Sequence, residues 1–162
     1  MEIKDIMVFD LEANGLLEDA TQLWCGVAYW RDEWYEATWP NEDYFIEILN
    51  SATYICGHNI IDYDLPLLEK LYGWCPDARV LDTLVLSRLL NPERSGGHSL
   101  DSWGQRVGVG KPVHEDWTTF SEDMLHRCKE DVKINVRALE LLLREGELNA
   151  EDLEELPVYR VA

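Results

Sequence analysis

Apolar and polar positions along this chain change period several times, and the changes divide it into elements. Residues 3–9 form a short apolar run after a charged start and predict a central strand. Residues 22–29 (QLWCGVAY) predict a second strand. Residues 33–39 (EWYEATW) alternate and are rich in aromatics, as in an edge strand. Arg31-Asp32 between them predicts a tight turn, so the two runs form a hairpin. Pro40-Asn41 ends the strand and opens a helix carrying Phe45, Ile46 and Leu49. Residues 54–56 make a fourth short strand before Gly57. Residues 64–72 predict a helix whose first turn accepts Pro66. A fifth strand at 79–81 runs into Asp82-Thr83 and a helix through Leu90.

The stretch 91–97 (NPERSGG) is a loop by composition. A short helix is expected at 99–107, and 108–117 is irregular. The strongest helical pattern covers 121–144, with Val132, Val136, Leu139 and Leu143 on one stripe. A tail rich in Glu and Asp follows and is expected to be solvated. No internal repeat interrupts this order. A hairpin followed by strands alternating with helices predicts an α/β domain around a mixed five-stranded sheet flanked by helices.

With 162 residues, one domain is expected, burying roughly 70% of the unfolded chain's surface. No apolar run approaches the ~20 residues of a membrane helix. The start, MEIKDIMVFDLE, lacks the apolar core of a secretory signal. Cys25, Cys56, Cys75 and Cys128 form no C-x-x-C pair, and read as reduced core thiols of an intracellular, cytoplasmic protein. The net charge of −18 excludes a protein that coats nucleic acid through a basic surface. It leaves three accounts: a grip on a few nucleotides at a strand end, a partner that supplies the basic track, or acidity kept for solubility.

Four acidic segments remain once the core is removed. Asp10 and Glu12 stand two apart at the end of the first strand, so their carboxylates point to one face. Read alone, they are a pair of exposed acids. The Asn14-Gly15 turn behind them lets backbone approach a ligand. Asn59, Tyr63 and Asp64 follow the fourth strand, where Asp62 suits a helix start better than Asp64 does. Asp82 suits a helix cap better than a ligand. His126 and Asp131 open the long helix. Histidine is the side chain best fitted to take a proton from water near neutral pH. On a straight helix, however, positions i and i+5 diverge by about 140°. His126 and Asp131 can therefore serve one water only if the first turn is distorted or still a loop. Hard oxygen ligands in this number point to Mg²⁺ or Mn²⁺.

Together these segments resemble the DEDD superfamily of 3′→5′ exonucleases, over about 3–143 of the chain. Asp10 and Glu12 match its D-x-E motif; Asn59, Tyr63 and Asp64 match N-x-x-x-[YF]-D. The third motif has a tyrosine and a histidine version. His126 and Asp131 fit His-x-x-x-x-Asp, and Arg127 stands where the tyrosine would be. The chain thus resembles the DEDDh type. Its stretches DLEANGLLEDATQLWCG, GHNIIDYDLPLLEKL, LDTLVLSRLL and GGHSLDSWGQRVG are most similar to proofreading exonuclease domains of phage-type family A DNA polymerases.

The resemblance implies a ribonuclease H-like fold, with an exonuclease domain over 1–148 and an acidic extension or short helix over 149–162. It implies two divalent ions, Mg²⁺ or Mn²⁺, held by Asp10, Glu12, Asp64 and Asp131, with His126 as general base. Asn14, Gly15, Leu16, Asn59 and Tyr63 become candidates for contacting the terminal nucleotide. The expected substrate is single-stranded DNA, with RNA second, and the expected partner a DNA polymerase or other replication protein of phage or bacterial origin. Two other readings are an inactive nuclease-fold binding module and a structure-selective endonuclease on the same fold.

Overall fold

The computed structural model describes residues 2–110 and 113–156. Of the irregular stretch expected at 108–117, residues 111 and 112 lie outside the described residues, as does the tail from 157 onward. Five strands form one sheet: β1 (Ile6–Ala13), β2 (Leu23–Trp30), β3 (Glu33–Thr38), β4 (Tyr54–Gly57) and β5 (Arg79–Asp82). Their order is β3-β2-β1-β4-β5. β2 runs antiparallel to both β1 and β3, whereas β4 runs parallel to both β1 and β5. The expected mixed five-stranded sheet is therefore present.

Among the described residues six α-helices follow in chain order: α1 (Phe45–Asn50), α2 (Asp64–Tyr72), α3 (Thr83–Leu90), α4 (Leu100–Val107), α5 (Glu122–Glu145) and α6 (Ala150–Glu154). Several ends are capped as the sequence indicates. Ser99 and Ser121 accept hydrogen bonds from the third backbone N–H of α4 and α5, and Gly73 and Gly108 end α2 and α4 in the left-handed conformation. The β2–β3 turn uses Arg31 and Asp32 at φ 51° and 65°. Positive φ at both turn residues marks the hairpin turn whose twist matches the flanking strands.

Two details of the expectation change. β1 begins three residues later than expected, because Ile3–Asp5 forms a 3-10 turn, and it continues to Ala13. Asp10 and Glu12 thus lie inside the strand and not beyond its end. The tail is also not wholly solvated, since α6 buries Leu153 against the α5 side of the sheet.

The core has two layers, one on each sheet face. Met7, Phe9, Leu11 and Ala13 of β1 face α1 and α2, packing with Phe45, Leu49, Leu65 and Leu68. Ile6 and Val8 face the other way, toward Val132, Leu139 and Leu143 of α5. The period of two along β1 thus continues the Ile6–Val8 stripe directly into Asp10 and Glu12. In the neighbouring strand, Gly26 makes room for the fully buried Phe45, whose ring would lie 2.5 Å from an added Cβ.

Gly26→Ala is expected to destabilise the fold by about 1–3 kcal/mol, the usual cost of overpacking a filled core. Thermal unfolding followed by circular dichroism checks this. An unchanged melting temperature would mean that Phe45 can move aside.

Candidate active site

β1 and the helix lying across it build the site. Asp10 and Glu12 project from the α5 side of β1, opposite Val27 and Cys25 of β2. The β1–β2 register shifts between Glu12 and Ala13, an irregularity of the kind that re-aims side chains at a strand end. Helix α5 brings Cys128 and Asp131, three apart and so on one face, down onto these acids. The Cys128 thiol donates to the Asp10 carbonyl over 3.4 Å. Ligand atoms of Asp10, Glu12 and Cys128 all lie within 4.8 Å of one another. Asp131 is buried, and its charge is among those that raise the Glu12 pKa.

Asp64 arrives from the opposite side of β1, as the first residue of α2. It is 4% exposed, and the backbone of Asp64 and Leu11 partly offsets the rise in its pKa. Its Oδ2 is buried and takes no hydrogen bond from the described residues. Asp62, the residue better suited to a helix start, is exposed.

The electrostatics follow from this crowding. Burial, followed by the charges of Asp10, Asp131 and Cys25, pushes the Glu12 carboxyl up to about 10, and Arg127 opposes the rise. Burial raises Asp64 well above the carboxylate range, with Asp10 and Asp82 adding to it. Burial also pushes the Tyr63 phenol up to about 12. A set of crowded acids that stays partly protonated without cations, and includes a buried oxygen lacking a donor, is a donor set of hard oxygens fitted to divalent ions. The Cys128 thiol is raised by burial and donates to a carbonyl, so at neutral pH it fills space beside the acids as a neutral group.

The remaining sequence candidates divide by what they touch. Asn14 spends its side chain inside the loop: Oδ1 accepts from the N–H groups of Thr21 and Gln22, and Nδ2 donates to Thr21 Oγ1. Tyr63 donates its hydroxyl to the Gly15 carbonyl over 2.7 Å, tying the start of α2 to the loop after β1. Leu16 on that loop is 78% exposed. Asn59 has φ 64°, a left-handed conformation that asparagine tolerates. Trp103 is buried in the core.

Asp82 proves to be a cap, as the sequence favours, and more than a cap. Its carboxylate accepts from Leu84 N–H at the start of α3, and also from Asn59 N–H at 2.8 Å and Ile61 N–H at 3.1 Å. One side chain therefore shapes the whole turn that presents Asn59. A strand-end Asp before a helix signals the cap; the two cross-strand bonds depend on the parallel β4–β5 pairing and leave no local signal.

The two candidates of the third motif, His126 and Arg127, lie side by side near the start of α5. α5 is helical from Glu122, so His126 and Asp131 occupy one regular helix. Asp131 is buried, and His126 is exposed. On this helix His126 and Asp131 therefore point to different faces. Arg127 is the residue of this pair whose charge reaches Glu12, and its guanidinium stands 5.0 Å over the Trp117 ring. Cys75, expected in the core, is exposed, while Cys25, Cys56 and Cys128 are buried.

Two outcomes follow. Asp82→Ala strips a cap and leaves three backbone donors without their acceptor, at a cost of about 2–4 kcal/mol. Denaturant unfolding checks it, and a loss under about 1 kcal/mol would deny Asp82 this role. The second outcome concerns pH. Glu12 and Asp64 have folded pKa values above their unfolded ones, so the native state binds more protons than the unfolded state. Glu12's contribution is complete below about pH 4.5 and is lost as pH rises toward its folded value near 10, and that of Asp64 is lost in the same direction. The melting temperature of the metal-free protein should thus fall between pH 5.5 and 8.5, and Mg²⁺ or Mn²⁺ should restore more of it at the upper end. Equal stabilisation by the ions at both ends would contradict the shared site.

No family model matches the chain. The DNA-directed DNA polymerase of Enterobacteria phage T3 is 30% identical over 186 residues, covering 85% of this chain and 26% of the polymerase. The chain therefore spans about a quarter of that relative's length. Among solved structures, Brucella melitensis NrnC with bound Mg²⁺ superposes with TM-score 0.68 at 18% identity, covering 93% of this chain and 79% of that one. Escherichia coli RNase D, an exoribonuclease involved in structured RNA processing, gives TM-score 0.67 at 16% identity, covering 94% and 44%. The fold is thus ribonuclease H-like, the chain is homologous to part of the phage polymerase, and its spaced carboxylates match the motifs of the DEDD exonucleases.

Proposed function

We propose that the chain is a divalent-metal-dependent 3′→5′ exonuclease. It releases nucleoside 5′-monophosphates from the 3′ end of single-stranded nucleic acid, DNA ahead of RNA. The observation that carries this reading is the approach of Asp10 and Glu12 ligand atoms to within 4.8 Å on β1, with the charge of Asp131 from α5 acting on Glu12, that of Asp10 acting on Asp64 from α2, and Asp64 Oδ2 buried and given no donor by the described residues. An acid cage of this kind has no structural use that three or four aliphatic residues would not serve better.

In this reading Asp10, Glu12 and Asp131 would hold one divalent ion, and Asp64 with Asp10 would help to hold a second. The ions would supply a polarised phosphate, an activated water and a stabilised leaving oxygen. The chain does the rest. Cys128 fixes the β1 backbone at Asp10 against α5. Tyr63 holds the Gly15 loop closed over α2, leaving exposed Leu16 to meet the terminal nucleotide beside Asn59. Gly15 contributes backbone, and Asn14 keeps that backbone in place. A histidine base at His126 would need the first turns of α5 to unwind.

The T3 relation supports DNA as substrate and supports a replication partner inside a phage-infected or bacterial cell. The NrnC structure with bound Mg²⁺ supports the choice of ion, and the RNase D likeness keeps RNA as the second substrate. Among the described residues no helix is long and apolar enough to cross a membrane.

The test is a time course on 5′-end-labelled single strands of DNA and RNA of matched sequence. With Mg²⁺ or Mn²⁺, a ladder shortening from the 3′ end is expected, and EDTA should stop it. Asp10→Asn and Asp131→Asn should each lower turnover by more than about 10²-fold while the fold survives. Internal cuts would indicate an endonuclease, and undiminished activity in excess chelator would remove the metal cage.

A further inference from the structure

We propose that Arg127 is the inward side chain of the third motif and that its guanidinium meets the phosphate being cut. This inference rests on the exonuclease reading. It adds a fixed cation where the superfamily's known versions place a tyrosine or a histidine.

The geometry begins with the helix. α5 is regular, so a residue four before Asp131 lies within about 40° of it, and one five before lies about 140° away. Arg127 is the first of these, and His126 the second. Burial agrees: Cys128 and Asp131 are buried, Arg127 half-buried, and His126 exposed. Arg127 is held from its other side. Its guanidinium carbon stands 5.0 Å over the Trp117 ring, within the range of a cation–π contact. Trp117 is itself fixed, because its carbonyl accepts from Trp24 Nε1 over 2.9 Å and its ring takes His114 edge-on at 4.8 Å. Arg127 Nε is buried and donates to none of the described residues.

A guanidinium with a spare buried donor, clamped by an indole and with its charge reaching Glu12, is prepared for an anionic fork. A phosphodiester offers two oxygens in that arrangement, and arginine matches them with paired N–H groups. Arginine cannot accept a proton under any ordinary condition. Its part here is electrostatic: it attracts the phosphate into a chain of net charge −18 and holds negative charge as the bond breaks. The same cation repels divalent ions from the neighbouring carboxylates, so it weakens metal binding when no nucleic acid is present.

That opposition of effects supplies the test. Arg127→Ala, Arg127→Lys and His126→Ala are compared with wild type in two measurements. The first is kcat and KM on an end-labelled single strand with Mg²⁺. The second is Mn²⁺ affinity of the nucleic-acid-free protein, read as free Mn²⁺ by electron paramagnetic resonance. Arg127→Ala should lower kcat by about 10²-fold, as for loss of one charge-stabilising donor, with a smaller rise in KM. It should also bind Mn²⁺ severalfold more tightly. Arg127→Lys, which keeps the charge and the fold, should recover part of kcat and return Mn²⁺ affinity toward wild type. A residue needed only for packing would not tighten metal binding. Unchanged Mn²⁺ affinity in Arg127→Ala overturns the proposal, as does a kcat loss confined to His126→Ala. If wild type digests no strand, the exonuclease reading fails, and the Mn²⁺ comparison still decides whether Arg127 faces the acids.

Discussion

Alternation along β1 is the constraint on which the rest depends. Side chains of a strand change face at every residue, so the stripe that begins with Ile6 and Val8 under α5 must continue through Asp10 and Glu12. The first pair anchors the helix through Val132 and Leu139. The second pair is carried, half-buried, to the end of the same interface by a backbone that cannot turn away. Like charges enter a region where water is scarce, and Glu12 answers by holding its proton to about pH 10. The acids are thus destabilising by construction, and apolar contacts on both sides of the sheet keep them together. A one-residue slip of β1 would exchange the apolar and acidic faces, so the register that builds the core also builds the site.

Two buried aspartates show how partners separate a structural acid from one proposed to hold metal. Asp82 and Asp64 are both 4% exposed, and each stands at the start of a helix. Asp82 takes three backbone N–H groups, which satisfy its charge and turn it into a bracket for the 58–61 turn. Asp64 faces Asp10 with one buried oxygen that no described donor reaches, and burial holds its pKa high. The bracket serves Asp64: Asp82 sets the turn from which Tyr63 reaches across to the Gly15 carbonyl.

Much of this was legible from the chain. Strand and helix order followed from hydrophobic period, and α2 and α3 begin and end where Pro66, Gly73 and Asp82 indicate. The carboxylates were legible because a two-residue spacing on a strand and an N-x-x-x-Tyr-Asp segment carry local geometry. What stayed hidden is long-range. The Asp82 bonds to Asn59 and Ile61 cross between parallel strands. The contact of Cys128 with Asp10 spans 118 positions. The choice between His126 and Arg127 turns on about 100° of helix rotation, which motif spacing leaves open when both residues are present.

The strong negative charge becomes intelligible once the cations are located. Many of the chain's 14 basic residues are engaged inside the molecule. Lys70 donates to the carbonyls of Leu17 and Glu18, closing the loop behind the acids. Arg94 pairs with Glu145 and leans on Trp103 with Arg106, which also donates to loop carbonyls. Arg137 donates to the Val107 carbonyl, and Lys133 pairs with Glu130. Cations used in this way hold loops and helix ends and do not form a track along a strand of phosphates. Attraction for nucleic acid must then be local, and it falls to whatever positive charge sits at the cage itself. On the proposed exonuclease reading, a surface built like this favours a grip on the last few nucleotides and release after each cut.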